Sequence, residues 1–201
     1  MFTGIIQALG QVQAIEKTAG GLRLQIDSSG FFSDAQSGDS IAVDGTCLTI
    51  ESMTKDQAQF FLSEESLEKT HFKSAVPSQW VNLEKSLQAH SFLGGHFVQG
   101  HVDGLGEILK LESLGEAHHL EVRFPSEMAR YFVPKGSVCI NGVSLTINEL
   151  RESSLSICLI PETWKKTNFR YVKENQKVNL EVDVLAKYIE RHLSFLKEKN
   201  L

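Results

Sequence analysis

The stretch Asp44-Gly45-Thr46-Cys47-Leu48-Thr49-Ile50 occurs a second time 97 positions later, as Asn141-Gly142-Val143-Ser144-Leu145-Thr146-Ile147. Further matches follow the same order: residues 65–72 with 162–169, residues 81–84 with 178–181, and, at an offset of 96, Gly4 with Gly100. Self-similarity at a fixed period is the signature of a repeated structural unit. The 201-residue chain is therefore predicted to contain two copies of one small domain.

Each copy contains a predicted β-hairpin. An Asx-Gly pair, at 44–45 and at 141–142, separates two apolar-alternating runs. This is the pattern of a tight hairpin, because both turn residues adopt positive φ. In the strand that follows, Leu48 points away from Cys47 and Thr49, since successive side chains alternate between faces. We predict that the apolar side chains face a core and that the polar pair lines a surface cleft.

Short strands dominate the rest of each copy. Strict alternation at 22–26 and at 120–124 is typical of half-buried strands. Ser63 and Pro161 suit the start of a short helix after a later strand. Six or so antiparallel strands per copy predict a small barrel or sandwich. The remaining predicted strands are 4–15, 59–62, 81–87, 155–160 and 178–184, and short helical segments are predicted at 31–35 and 126–132.

The C-terminal segment breaks the repeat. Leu185, Ile189, Leu193 and Leu196 recur at helical spacing, with charged residues between them. This pattern predicts an amphipathic helix, and its apolar stripe has two equally good partners, the barrel of its own chain or another subunit. We predict three units: an N-terminal barrel at 1–93, a C-terminal barrel at 94–184 and a helix at 185–201.

Composition excludes several classes of function. The formal net charge of -5 argues against a nucleic-acid or anionic-membrane partner, because either partner would need a basic face. The sequence contains no long apolar run and no signal-peptide pattern, so we predict neither a membrane span nor export. Three scattered cysteines fit reduced thiols in the cytoplasm better than a disulfide framework.

The informative positions are those where the two copies differ. Cys47 corresponds to Ser144, and Ile5 corresponds to His101. Asp183 in the second copy corresponds to a serine in the first. Thiol, imidazole, hydroxyl and carboxylate groups can move protons and stabilise anions when they converge. On spacing alone, structural alternatives remain open: a small buried strand residue for the cysteine, a solvated strand end for the aspartate, and an ordinary strand residue for the serine.

The glycine- and histidine-rich segment at 94–106 invites two other interpretations. His96 and His101, with further histidines at 118 and 119, suggest a metal site. Against this, residues five apart on a predicted strand lie on opposite faces. The glycines also lack the strand-turn-helix context of a dinucleotide-binding fingerprint. Neither a metal site nor a dinucleotide site is favoured.

Taken together, five motifs resemble the riboflavin synthase family: residues 1–6, 44–49, 94–101, 141–146 and 160–163. The resemblance spans the chain and implies an all-β fold of two tandem, similar six-stranded antiparallel Greek-key barrels plus a C-terminal amphipathic helix. It implies that two molecules of 6,7-dimethyl-8-ribityllumazine react by four-carbon transfer, giving riboflavin and 5-amino-6-ribitylaminouracil. It also implies no cofactor, no metal, a cytoplasmic homotrimer, and lumazine synthase as a partner.

The resemblance also implies a set of site residues. His101 would be the leading group for proton transfer, with Cys47 acting from barrel one and with Ser144 and Asp183 acting from barrel two. Phe2 would lie close to a site. Substrate contacts on barrel one would be Gly4, Ile5, Ile6, Cys47, Leu48, Thr49, Phe61, Leu62, Ser63, Glu64, Glu65 and Ser66. Substrate contacts on barrel two would be Gly100, His101, Val102, Lys135, Ser144, Leu145, Thr146, Ile160, Pro161, Glu162, Thr163, Trp164 and Lys165.

The main alternative is a non-catalytic relative of the same fold. Fluorescent lumazine-binding proteins hold lumazine or flavin without converting it, and they resemble the enzyme less around His101. Cys47, Ser144 and Asp183 are also retained in this chain, which favours the enzyme. Gln99 and Ser66 depart from the residues that are common in relatives, and we expect Gln99 to alter the rim of the cleft.

Overall fold

A computed structural model describes residues 1–198. Twelve strands and three α-helices make up this part of the chain. The first repeat contains β1 (Ala8–Thr18), β2 (Gly21–Asp27), β3 (Ser40–Val43), β4 (Thr46–Met53), β5 (Gln57–Ser63), α1 (Glu64–Lys69) and β6 (Trp80–Lys85). The second contains β7 (Gly104–Leu114), β8 (Ala117–Arg123), β9 (Ser137–Ile140), β10 (Val143–Leu150), β11 (Ser154–Leu159), α2 (Pro161–Lys166) and β12 (Lys177–Val182), and α3 (Val184–Glu198) follows.

The strands close into two barrels with one topology. The first barrel has the order β1-β2-β5-β4-β3-β6, and the second has the order β7-β8-β11-β10-β9-β12, which is the same arrangement. Every pairing is antiparallel. The prediction of two similar six-stranded antiparallel barrels and a C-terminal helix is confirmed.

Both predicted hairpins are present. Asp44 and Gly45 have φ values of 44° and 74°, and the pair at 141–142 has values of 46° and 81°. In β4 the apolar side chain of Leu48 is buried, Cys47 is half-buried and Thr49 is exposed, as the alternation predicts. The same alternation holds in β10. Each hairpin therefore presents a thiol or a hydroxyl on its outer face.

Each barrel has its own apolar core. Fully buried residues such as Phe60 and Leu83 fill the first barrel, and Ile108 and Leu180 are among those that fill the second. Burying a side chain of this size stabilises the fold by about 1.5–3 kcal/mol. Because core positions recur at the repeat offset, the two barrels hold their connecting loops in equivalent positions.

One predicted helix and three predicted strand boundaries are wrong. Residues 31–35 form turns without a helix, while residues 126–132 contain a short 3-10 helix at Ser126–Tyr131. Strand β1 begins at Ala8 and does not include Gly4. The reason is that residues 4–6 leave their own barrel and lie against the hairpin of the second repeat, where the Gly4 carbonyl accepts a hydrogen bond from Ser144 N. The closing strands also end earlier than predicted, at Lys85 and Val182.

Helix α3 carries an apolar stripe that its own barrels leave uncovered. Leu185, Ile189 and Leu193 are 55%, 61% and 52% exposed. An ion pair of 3.2 Å joins Arg130 Nη1 to Glu190 Oε1 beside this stripe. The helix is therefore tied to the second barrel at this ion pair, while much of its apolar stripe stays exposed. Within residues 1–198, no helix combines the length and the apolar character needed to span a membrane.

The barrels meet through a buried polar network. Asn82 Nδ2 donates to the Asn141 carbonyl at 2.8 Å, and its repeat equivalent Asn179 donates to the Asp44 carbonyl at 2.8 Å. The symmetry is broken at one pair, because Asp44 Oδ2 lies 3.0 Å from His71 Nε2. The second copy has asparagines at both of these positions. These cross-barrel bonds fix the orientation of the two hairpins relative to each other.

Two composite pockets as the candidate active site

The leading segments of the two repeats pair with each other. Phe2 and Val98 form an isolated antiparallel bridge, with N-to-O distances of 2.7 Å and 3.2 Å. Both side chains are buried, in a small apolar cluster with Ala42 and Cys139. The two segments pass each other at this bridge, between the barrels.

After the bridge, each segment lies against the hairpin of the other repeat. The Gly4 carbonyl accepts a hydrogen bond from Ser144 N at 2.8 Å, and the Gly100 carbonyl accepts one from Cys47 N at 2.8 Å. Both glycines have positive φ, +75° and +80°, and a Cβ on either would lie 2.6 Å from the Cβ of the facing residue. This close approach explains why both copies have glycine here.

The first composite pocket, here named the Cys47 pocket, has a volume of about 270 Å³. Cys47 and α1 line it from the first repeat, and His101 lines it from the second repeat. An imidazole and a thiol therefore line one cavity, although they belong to different copies. Its lining residues are Thr46, Cys47, Glu65, Ser66, Lys69, Thr70, Gly100, His101 and Val102.

The second composite pocket, here named the Ser144 pocket, has a volume of about 210 Å³. Ser144 and α2 line it from the second repeat, and Ile5 lines it from the first repeat. At the repeat offset its lining matches that of the Cys47 pocket almost position for position. The lining residues are Gly4, Ile5, Ile6, Val143, Ser144, Ile160, Glu162, Thr163, Lys166 and Thr167.

The structure corrects the expected grouping of site residues. The resemblance groups residues 4–6 with barrel one, whereas in the structure they line the Ser144 pocket of barrel two. It groups residues 100–102 with barrel two, whereas in the structure they line the Cys47 pocket of barrel one. The expected grouping was wrong because each leading segment crosses before its own barrel begins. His101 therefore shares a pocket with Cys47, and Ser144 faces Ile5.

Sequence reasoning missed the role of His96. Its Nδ1 lies 2.7 Å from Ser144 Oγ. Burial lowers the pKa of His96, and the nearby charge of Asp183 acts in the opposite direction. The imidazole is therefore neutral at pH 7, and one of its two nitrogens can accept a hydrogen bond from the serine hydroxyl. The sequence signal for this contact was the Gly94-Gly95 pair directly before His96. Glycine at 95 allows the backbone to approach Ser144 closely, because a Cβ on Gly95 would lie 2.8 Å from the Ser144 Cβ.

The predicted strand carrying both histidines is absent. Apart from the bridge at Val98, residues 94–103 have no strand structure. His96 contacts Ser144, whereas His101 lines the Cys47 pocket. Across residues 1–198, no group of three or more His, Cys, Asp or Glu side chains has a metal-binding arrangement.

Comparison with known proteins agrees with the repeat. The model of the lumazine binding domain matches the chain twice, at residues 3–86 and 99–183. A riboflavin synthase of Photobacterium phosphoreum is 39% identical over 96% of this chain and 89% of the relative. The riboflavin synthase of Bacillus subtilis (strain 168) is 38% identical over 96% of this chain and 90% of the relative.

This chain belongs to the riboflavin synthase family. A crystal structure of LumP complexed with riboflavin shares its fold, with a TM-score of 0.85 and 23% identity over 90% of this chain and 99% of that one. A structure of LumP complexed with 6,7-dimethyl-8-(1'-D-ribityl) lumazine has a TM-score of 0.83, also at 23% identity, over 90% of this chain and 99% of that one. At 23% identity, the comparison with LumP shows only that this chain and LumP have the same fold.

Several residues that the riboflavin synthase resemblance implicates lie in the core or in helix caps. Ser63 caps α1 by accepting a hydrogen bond from Ser66 N at 3.2 Å, which confirms its predicted capping role. Pro161 is the first residue of α2, as predicted. Trp164 stacks on His118 with ring centroids 3.6 Å apart. Phe2, Leu48, Leu62 and Leu145 are buried.

The other implicated residues lie outside both pockets in this chain. Lys135 occupies a turn with φ of 66°, and its N donates to the Ile147 carbonyl at 2.8 Å. Asp183 begins the turn into α3, where its Oδ1 accepts a hydrogen bond from Leu185 N at 3.0 Å. It lies in the groove beside the α3 stripe. Its negative charge acts to raise the pKa of His96, which contacts Ser144, so Asp183 acts on the Ser144 pocket indirectly. The remaining implicated residues, which also line neither pocket, are Thr49, Phe61, Glu64, Thr146 and Lys165.

Proposed function

We propose that this chain catalyses the dismutation of two molecules of 6,7-dimethyl-8-ribityllumazine. One molecule gives a four-carbon unit to the other, and the products are riboflavin and 5-amino-6-ribitylaminouracil. The observation that carries the proposal is the pair of composite pockets, which have equivalent linings but different reactive groups. A chain of the riboflavin synthase family with two such pockets suits a reaction that uses one substrate twice.

Two related pockets would also accelerate the reaction, because they hold both substrate molecules in a fixed geometry. Holding two reactants in the correct geometry can supply about 7–11 kcal/mol of the barrier in favourable cases. The 7-methyl group of the substrate is acidic, because its carbanion is delocalised into the pteridine ring. The protein then needs moderate acid-base assistance and accurate placement.

The side chains assign different roles to the two pockets. In the Cys47 pocket, the His101 imidazole accepts a proton from the 7-methyl carbon, and the Cys47 thiol acts as nucleophile or proton shuttle. In the Ser144 pocket, the Ser144 hydroxyl polarises the second substrate while the neutral His96 orients that hydroxyl. Asp183 acts on this pocket through His96. Proton transfer by a positioned side chain contributes typically 10²–10⁴-fold to a rate.

A homotrimer would bring pockets of different type together. In this arrangement the Cys47 pocket of one subunit faces the Ser144 pocket of another, and each holds one lumazine. The exposed α3 stripe, with Leu185, Ile189 and Leu193 more than half exposed, supports a subunit contact through this helix. The proposed units are the barrels at 1–93 and 94–184 and the helix at 185–201, whose last three residues lie outside the described chain.

The proposed setting is the cytoplasm, with lumazine synthase as an associated partner. The reaction as proposed uses no cofactor and no metal ion. The odd number and scattered positions of the three cysteines support the cytoplasmic assignment, because they do not suit a disulfide framework.

The second candidate function is non-catalytic binding of lumazine or flavin. The LumP structures favour it, because that protein holds riboflavin or a lumazine on the same fold. The matches to riboflavin synthases at 38–39% identity favour the enzyme. His101 in the Cys47 pocket also favours the enzyme, because it adds a group that can move protons.

A turnover assay with 6,7-dimethyl-8-ribityllumazine as the sole substrate separates these functions. The proposed function predicts riboflavin and 5-amino-6-ribitylaminouracil in equal amounts, with two lumazines consumed for each riboflavin. Tight fluorescent binding of lumazine without product would establish the non-catalytic alternative. Sedimentation of the same preparation tests the trimer.

A further inference from the structure

Two buried glutamates hold the segments that cross between the barrels. Glu84 and Glu181 are repeat equivalents on β6 and β12, and each is 2% exposed. Neither carboxylate pairs with a cation in the described chain, and both accept hydrogen bonds from the crossing backbone. They flank Cys139, and burial together with the charges of both glutamates raises the pKa of that thiol.

Glu84 holds the first crossing segment through three hydrogen bonds. Its Oε1 accepts from Thr3 N at 2.7 Å and from Thr3 Oγ1 at 2.6 Å. Its Oε2 accepts from Gly4 N at 2.9 Å. The next residue is Ile5, which forms a wall of the Ser144 pocket. Both oxygens are therefore engaged immediately before the segment enters the opposite barrel.

Glu181 holds the second crossing segment through two hydrogen bonds. Its Oε1 accepts from Gln99 N at 2.6 Å, and its Oε2 accepts from Gly100 N at 2.9 Å. The next residue is His101, which lines the Cys47 pocket. Gln99 stands where the first copy has Thr3, so the hydroxyl contact of the first copy has no counterpart here.

We propose that Glu84 and Glu181 are paired positioning residues for the reaction, an inference that rests on the proposed function. Glu181 fixes the backbone that presents His101 to the substrate in the Cys47 pocket. Glu84 fixes the backbone that presents Ile5 to the substrate in the Ser144 pocket. Each barrel thereby completes the pocket of the other through one carboxylate.

The two glutamates have matched structural roles but unequal consequences for the reaction. His101 moves a proton, so displacement of its segment lowers kcat. Ile5 offers an aliphatic surface to a bound ring, so displacement of its segment weakens binding and raises KM. Both carboxylates are equally buried, and loss of structural support alone would affect the two sites alike.

Glutamine is the informative substitution. It keeps the volume of the side chain, but it places an NH₂ group opposite one backbone N–H, which loses its acceptor. Glu181→Gln is expected to lower kcat about tenfold or more with KM changed less than about twofold, because a 1 Å misplacement can cost about 10²-fold. Glu84→Gln is expected to raise KM several-fold while kcat stays within about threefold.

A double-mutant cycle separates positioning from general destabilisation. If Glu181 acts through His101, the variant His101→Gln/Glu181→Gln has the kcat of His101→Gln alone, within about twofold. A further tenfold loss of kcat in the double variant would overturn the proposal. Equal kinetic effects of the two single glutamate substitutions would also overturn it.

Hydrogen exchange gives a readout that needs no turnover. Glu181→Gln is expected to speed exchange at the Cys47 N–H, which donates to Gly100, and to leave the Ser144 N–H unchanged. Glu84→Gln is expected to do the reverse. If the wild-type protein makes no riboflavin, the proposed function fails while this reciprocal exchange pattern still tests the positioning. Uniform exchange changes at both amides would contradict the assignment.

A milder substitution covers the case in which Glu181→Gln does not fold. Glu181→Asp keeps the carboxylate but shortens its reach by one methylene group. With folding confirmed by near-UV circular dichroism, a fall in kcat at nearly constant KM supports the proposal. Wild-type kcat in a folded Glu181→Asp variant with faster exchange at Cys47 would refute it.

Discussion

The Cys47 pocket and the Ser144 pocket share a backbone and differ in chemistry. In each, a glycine carbonyl from one repeat accepts a hydrogen bond from the facing hairpin of the other, at 2.8 Å in both cases. The reactive positions differ, with Cys47 and His101 in one pocket and Ser144 and Ile5 in the other. The comparison teaches that the repeat sets the shape of both pockets, while a few sequence differences between the copies give the two pockets different chemistry.

The largest expected effect comes from disturbing the close backbone contact that both pockets have in common. Gly100→Ala places a Cβ 2.6 Å from the Cys47 Cβ at a φ of +80°. We expect a loss of about 2–4 kcal/mol in unfolding free energy and a fall of about 100-fold or more in kcat. Chemical denaturation and the lumazine assay measure the two effects.

Gly30→Ala is the matched control for this substitution. Gly30 also has positive φ, +69°, but a Cβ there meets nothing within 4 Å. We expect a loss of about 1 kcal/mol, from backbone strain alone, with unchanged kcat. Equal losses at the two glycines would show that the close approach to Cys47 has no energetic consequence.

The next effect comes from removing the imidazole of the Cys47 pocket. His101→Gln is expected to lower kcat about 100-fold while lumazine binding stays within about threefold, because the variant cannot accept the methyl proton. His119→Gln, on a strand outside both pockets, serves as the control and should keep full activity. A His101→Gln variant with wild-type kcat would remove this histidine from the mechanism.

Exchanging thiol and hydroxyl sharpens the comparison further. Cys47→Ser makes the two hairpins alike at this position, and we expect kcat to fall about tenfold, since a serine hydroxyl is a weaker nucleophile and proton donor than a thiol. Ser144→Cys, the reciprocal change, should have a smaller effect if the hydroxyl mainly orients the ligand. Identical losses in the two variants would mean that the thiol has no special role.

The smallest expected effect is the pH dependence caused by His96. Burial lowers the folded-state pKa of His96 below its ordinary value of about 6.5. Between those two pKa values the unfolded chain binds more protons, so stability falls as pH drops through this window, by at most about 1.4 kcal/mol per pH unit. His96→Asn should lack this slope in denaturation curves between pH 8 and pH 5. A variant curve parallel to the wild-type curve would contradict the lowered pKa.

Much of the fold was predictable because its determinants are local. The Asx-Gly turns and the alternation around Leu48 predict the hairpins correctly, since φ preference and period-two burial act within a few residues. The short helix predicted at 31–35 is wrong. The sequence pattern did not reveal that Phe31 and Phe32 would pack edge to face within a turn.

The composition of the pockets was less predictable, because it depends on contacts between distant parts of the chain. Nothing in the local pattern around Ile5 or His101 shows which barrel the segment joins. The crossing is determined by the Phe2–Val98 bridge and by the buried carboxylates of Glu84 and Glu181, which lie about 80 residues away from their partners. His96 was missed for the same reason, since its contact with Ser144 spans 48 positions.

The central claim is that each pocket is completed by the other repeat, and a crystal structure with 6,7-dimethyl-8-ribityllumazine bound tests it most directly. The predicted result is one lumazine ring in contact with both Cys47 and His101, and a second in contact with both Ser144 and Ile5. A single ring in contact with both His101 and Ser144, with Cys47 left outside the site, would contradict the account.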